Sequence, residues 1–466
     1  MSVPHIRDIE GKHIHMVGIG GSSMSGLAEM LHDKGYIVSG SDRTDGYLIG
    51  KLRDMGMKIT IGHKPENVVG AQLVVYTAAI LTSDRTELDE AERLHIPTME
   101  RAVLLGQLME GHKNAIGVCG AHGKTSTTGM ISQMLMETGF DPSIHIGGSL
   151  PSINGSTRVG RSETFVAEAC EFHRSFLQMR PSIIVMLNID ADHLDCFKDI
   201  DEIQSVFGEF LSLLPPKGLA IGNGDDARIC ELFSKLNVKR VTFGLNPKCD
   251  YRPANLTYDD EGHGSYDLTY RGETLCRVLL RVAGNFHVLN SMAALAVMHQ
   301  MGADMQSAAV SLSSFTGMKR RFELTSITDG VRVFHDYGHN PTEMRAAISV
   351  AKKQKHNTLW AVMQPHTFSR VKALFNDYLD CTEDADITLV TDICAARETD
   401  PGDINSDMLV DGMLSHGHKA IRTPSFDDTE RYLRKHWQSG DLVLTMGCGD
   451  INLLNEQIKK HGDTEK

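Results

Sequence analysis

The string GAHGKTST (residues 120–127) carries the residue types that grip and turn over a phosphate. Gly120 and Gly123 let backbone amides approach an anion closely, Lys124 offers a point charge to β and γ oxygens, and the Thr125 hydroxyl suits Mg²⁺. Ala121, His122 and Ser126 complete the turn. The spacing is unusual. A standard phosphate loop has four residues between its first glycine and the Gly-Lys pair, whereas only Ala121 and His122 separate Gly120 from Gly123 here. The loop follows an apolar strand, NAIGVC, and opens a helix, which is the setting the chemistry requires. The plain alternative is a basic turn ahead of a helix. Nothing in the sequence explains a histidine inside the turn.

A hard cation needs more oxygen than one threonine provides. Glu168 ends the apolar strand TFVAEAC, and the string NIDADHLD places Asp190, Asp192 and His193 just after a second strand, SIIVML. In a parallel sheet both strand ends face the phosphate loop. From spacing alone the two aspartates are as good as His193, which also fits a hydrogen-bonded core histidine. A second glycine turn lies near the N-terminus. Gly18, Gly20 and Gly21 stand where a strand enters a helix opened by Ser22 and Ser23, which suits a diphosphate, and Asp42 ends the next strand where a ribose hydroxyl can reach it. Ser23 replaces the third glycine of a dinucleotide fingerprint, so NAD and other nucleotide diphosphates both stay open.

These sites need elements to hold them. Strand-like and helix-like segments alternate from end to end, the pattern of α/β domains with mostly parallel sheets, and 466 residues suffice for two to four domains. Three strand–glycine–helix starts predict three units: residues 1–108, 109–317 and 318–466. In the first helix Leu27, Met30 and Leu31 share one face. Residues 250–282 alternate apolar and polar positions with turn signals and read as antiparallel strands. A net charge of −13 disfavours nucleic acid or an anionic membrane as partner, so anionic ligands must be met by local cations or amides. Nine scattered cysteines without a C-x-x-C pair fit free thiols in a reducing cytoplasm. The pairs His13/His15 and His416/His418 lack further ligands at metal spacing and read as solvated or core residues. Neither a signal peptide nor a membrane span is expected.

Taken in order, GAHGKTST, NIDADHLD, RRFE (residues 320–323), DYGHNPTE (336–343) and MGCGDI (446–451) resemble the Mur ligase family over nearly the whole chain. GIGGSSMSGLA (18–28) and QPHTFSR (364–370) are similar to its alanine-adding branch, and EACEFHRSF (168–176) to a variant found in some members. The resemblance implies a Rossmann-like UDP-binding domain, a central P-loop-type ATPase domain and a C-terminal Rossmann-like domain. It implies ATP at residues 120–126 with Asn290, Arg321 and Asp336, and UDP-N-acetylmuramate at Gly18, Gly20, Gly21, Ser22, Ser23 and Asp42. Thr125 and Glu168 would hold one Mg²⁺, with Glu168 and His193 on a second. Lys124, Glu168, His193 and Arg321 would carry catalysis, and His366 and Arg370, with Arg397 as a lesser candidate, would hold L-alanine. The partners implied are small molecules acting on a bacterial monomer or homodimer.

Three departures stand out. His287 occupies the place of a usual asparagine, Asn340 that of a second histidine, and residues 200–211 lack the lysine that several relatives carbamylate. The reaction implied is amide formation through an acyl phosphate, with the C-terminal unit closing on the central one to exclude water. A ligase recycling a preformed murein tripeptide is the nearest rival. A nucleotide and UDP-sugar binding regulator without chemistry is the rival from another class.

Overall fold

The apolar runs and helical periods resolve, in a computed structural model, into three β-sheets. The structure describes residues 4–9, 12–78, 80–191, 196–396 and 398–464. Asp192, His193 and Arg397 lie outside the described residues. The first sheet contains β1 (His13–Val17), β2 (Ile37–Asp42), β3 (Lys58–Ile61), β4 (Leu73–Tyr76) and β5 (Thr98–Glu100), all parallel, in the order β3-β2-β1-β4-β5. Its order reverses between β1 and β4, and ligands bind beyond the carboxyl ends of strands at such a reversal.

The second sheet is larger. It comprises β6 (Asn114–Cys119), β7 (Ser143–Leu150), β8 (Gly155–Arg158), β9 (Thr164–Glu168), β10 (Ile183–Met186), β11 (Leu219–Asn223), β12 (Lys239–Phe243), β13 (Tyr251–Tyr258), β14 (His263–Tyr270) and β15 (Glu273–Ala283). The order is β15-β14-β13-β12-β11-β10-β6-β9-β7-β8. The chain leaves β6 to one side and returns to the other at β10, so β6 sits at the reversal, flanked in parallel by β9 and β10. The links β13–β14 and β14–β15 are too short for a crossover, which makes these strands antiparallel as the alternation predicts.

The third sheet holds β16 (Glu323–Thr328), β17 (Val331–Asp336), β18 (Leu359–Met363), β19 (Ile387–Val390), β20 (Ala420–Arg422) and β21 (Leu442–Met446), in the order β16-β17-β21-β18-β19-β20. Only β16 runs antiparallel.

By packing, the chain forms two compact units. One comprises residues 1–256, 265–280 and 285–315; the other comprises 257–264, 281–284 and 316–466. The first two sheets share a unit because the helix Ser22–Asp33 lies directly on β8. A Cβ added at Gly26 would come within 1.9 Å of Thr157 Oγ1. On that helix Leu27, Met30 and Leu31 are buried, as their shared face predicts. The helix Lys124–Glu137 is instead buried on every face from Thr125 to Leu135, which explains its lack of an amphipathic pattern. His15 is a core residue bonded to Ser39, while His416 and His418 both bond Asp380 Oδ1 at 2.8 Å. No described helix is long and apolar enough to cross a membrane.

Candidate active site

The carboxyl ends of β6, β9 and β10 bring one cluster together. Residues 120–123 leave β6 and enter the helix Lys124–Glu137, with Gly120 at φ +142° and Gly123 left-handed at φ +84°. Space as well as conformation requires glycine at position 123, where a Cβ would lie 2.7 Å from Asn290 Oδ1. Asn290 thus sits against the turn. Its Nδ2 is buried and without a hydrogen-bond partner among the described residues, a donor suited to an incoming acceptor.

The short turn is braced by β10's exit loop. The His122 amide donates to Asn188 Oδ1 at 2.8 Å, Asn188 Nδ2 donates to the His122 carbonyl at 3.0 Å, and the Ala121 amide donates to the Asn188 carbonyl at 3.3 Å. His122 Nε2 then meets Asp190 Oδ2 at 3.1 Å. That pairing holds the Asp190 carboxyl below the usual range and gives the histidine its reason to sit inside the turn.

At the end of β9, Glu168 accepts from Thr125 Oγ1 at 3.1 and 3.0 Å and from the Gly147 amide at 2.9 Å. These are hard oxygen donors, the set that suits Mg²⁺. Lys124 turns back from the helix. Its Nζ donates to the carbonyls of Gly120 (2.6 Å) and Ala121 (3.0 Å) and to Glu171 Oε1 (2.9 Å). Burial disfavours the ammonium, yet Glu171 above all holds it above the ordinary lysine range.

The N-terminal glycine turn lies in the same unit. Gly18 is at φ +78°, and the Gly20 amide donates to Asp42 Oδ2 at 2.8 Å, so Asp42 stands at the end of β2 against the turn. Ser23, in the missing glycine's place, joins two residues the sequence left unnoticed. Arg101 Nη1 donates to Ser23 Oγ at 2.8 Å, and Ser23 Oγ lies 2.8 Å from His145 Nε2. Burial and the Arg101 charge press the His145 pKa down to about 3, so this ring is neutral and the hydroxyl links a guanidinium to an imidazole.

In the second unit Asp336 ends β17 and accepts from the amides of Gly338 (2.6 Å) and Phe322 (2.9 Å); burial raises its pKa. Arg320 is tied into the fold through His335 Nε2 at 3.1 Å and the Gly449 carbonyl at 2.9 Å. Arg320 and Arg321 both lie over the Tyr337 ring, 4.9 and 5.0 Å from its centroid, and the Arg321 charge partly offsets the burial that raises the Asp336 pKa. Arg370 Nη1 donates to His366 Nδ1 at 3.3 Å, and burial with His339 and Arg370 nearby pushes the His366 pKa down to about 4. A neutral imidazole accepting from an arginine leaves the guanidinium's other donors for a ligand. Thr367 between them is at φ +62°, a strained setting for a β-branched residue.

One departure gains a structural reason. Asn340 caps the helix Pro341–Lys353 by accepting from the Glu343 amide at 2.9 Å, a task histidine does poorly. His287 is buried, with its pKa pressed to about 3 by that burial. The sequence missed Asn188, Glu171, Arg101 and His145. Asn188 and Glu171 stand inside strings that already drew notice, NIDADHLD and EACEFHRSF, whereas Arg101 and His145 meet only through tertiary packing.

Fold and site together define a three-domain α/β protein built around a phosphate loop. The Mur ligase family catalytic domain matches residues 13–113, the Mur ligase middle domain residues 118–298, and the Mur ligase glutamate ligase domain residues 320–449. The chain belongs to the Mur ligase family. It is 44% identical over 458 residues to the UDP-N-acetylmuramate–L-alanine ligase of Clostridium botulinum strain Okra, covering 98% of this chain and 99% of that one. Its fold matches a UDP-N-acetylmuramate–alanine ligase from Thermotoga maritima at TM-score 0.82 and 24% identity, covering 97% and 100% of the two chains. A murein peptide ligase from Psychrobacter arcticus follows at TM-score 0.72 and 22% identity, covering 96% and 98%.

Proposed function

We infer that this chain is an ATP-dependent ligase that joins L-alanine to UDP-N-acetylmuramate, a step of peptidoglycan precursor synthesis in cell-wall biogenesis. The substrates rest on full-length identity with the C. botulinum ligase. The observation that carries the chemistry is the meeting of Lys124, Thr125 and Glu168 around the short phosphate turn.

A carboxylate is a poor electrophile because its oxygen leaves badly. One oxygen of the muramate lactyl carboxylate attacks the γ-phosphorus of ATP, the bond to ADP breaks, and an acyl phosphate forms. The alanine amine then attacks the acyl carbon, loses a proton, and the tetrahedral intermediate expels phosphate. The first step brings two anions together. Residues 120–126 seat the triphosphate through the amides at the head of the helix Lys124–Glu137, while Lys124 and Arg321 offset the repulsion. Asn290 Nδ2 donates to the nucleotide, and Asp336 orders the loop that carries Arg321. Mg²⁺ held by Thr125 and Glu168 would neutralise charge on the β and γ oxygens; His193 is assigned to a second ion by the family resemblance. Gly18, Gly20, Gly21, Ser22, Ser23 and Asp42 serve the UDP-sugar. Arg370, oriented by His366, offers a bidentate guanidinium to the alanine carboxylate, with Arg397 a lesser candidate.

The fold shared with a murein peptide ligase favours a second reading, in which the acceptor is a tripeptide. Product formation from UDP-N-acetylmuramate and ATP with alanine or the murein tripeptide separates them. Alanine is expected to be the better acceptor in kcat/KM; a preference for tripeptide overturns the substrate assignment.

A further inference from the structure

An ammonium has three donors, and Lys124 uses all three inside the protein, on two carbonyls of its own loop and on Glu171. A phosphate can therefore reach this lysine only by displacing a partner. The carbonyls are backbone atoms of the turn. Glu171 is different: its side chain is 3% exposed, it lies in the bend after β9, and its second oxygen, Oε2, has no hydrogen-bond partner among the described residues. A buried carboxylate needs a counter-charge, and Lys124 at 2.9 Å is its ion-pair partner among the described residues. A triphosphate entering the turn needs the same counter-charge. The two anions compete for one cation.

We propose that Glu171 is a positioning residue that holds Lys124 in the nucleotide-free site and yields it to the triphosphate, so that its charge sets the affinity for ATP. The proposal rests on residues 120–126 being the ATP site. Glutamine at position 171 keeps an oxygen for Nζ to bond but removes the competing charge. Aspartate keeps the charge and withdraws it from Nζ by one methylene.

Isothermal titration of the full-length chain with ATP, without divalent cation and with adenosine as the phosphate-free control, tests this. E171Q is expected to bind ATP about tenfold more tightly than wild type, the effect of removing one like charge near the phosphates. E171D is expected to shift the same way by about threefold, and it answers the question if E171Q does not fold. Adenosine affinity stays within about twofold throughout. A merely structural Glu171 would weaken both ligands in parallel, and that result, or an unchanged ATP affinity in both variants, overturns the proposal. If wild type binds adenosine and ATP equally weakly, the nucleotide reading itself fails.

Discussion

Lys124 shows how much one side chain is asked to do. Its Nζ is tied to its own loop and to Glu171, and in the proposed reaction it must face the γ-phosphate. Losing one such preorganised charge costs about 10²–10³ in rate, or roughly 3–4 kcal/mol. Lys124→Ala is therefore expected to lower kcat by at least about a hundredfold in a phosphate-release assay. Retention of more than about a tenth of wild-type turnover would sink the assignment. The sequence singles this residue out because a glycine, a lysine and a threonine in that order have few other uses. It named His122 and Ser23 but gave neither a partner. Their partners, Asp190, Asn188, Arg101 and His145, reach them across tertiary contacts that no local spacing encodes.

Three strand ends build the proposed phosphate site. The strands β6, β9 and β10 were legible because a strand buried on both faces reads as an unbroken apolar run. The strands β7 and β8 were not, since SIHIGGSL and GSTR carry too many small and polar residues to announce a strand. Yet β8 is what receives the first helix. Gly26 makes that approach possible, and a Cβ there would overlap Thr157 Oγ1 at 1.9 Å. In an exposed helix, glycine to alanine stabilises by about 1 kcal/mol. Here the overlap outweighs propensity, because forcing extra atoms into a close-packed contact costs typically about 1–3 kcal/mol. Gly26→Ala should thus lower the calorimetric Tm, and a raised Tm would show that the helix does not depend on this contact.

The whole chain is acidic, at −13, yet every substrate assigned to it is an anion or carries one. The long-range field therefore opposes binding, and in the proposed function local groups must win: the amides at the head of the helix Lys124–Glu137, Lys124, and the guanidiniums of Arg321 and Arg370. Three α/β domains were readable from three strand–glycine–helix starts. That the first two share one compact unit was not, because the contacts joining them, Gly26 to Thr157 and Ser23 to His145, lie between segments far apart in sequence. In the proposed reaction, what unites the molecule chemically is the acyl phosphate. Its formation moves one carboxylate oxygen onto phosphorus, and its collapse leaves that oxygen in the released phosphate. The most direct measurement is turnover of UDP-N-acetylmuramate labelled with ¹⁸O in the lactyl carboxylate, with mass analysis of the phosphate formed. One ¹⁸O atom is expected in each phosphate for every amide made. Phosphate free of label, with the amide formed at a normal rate, would contradict the account.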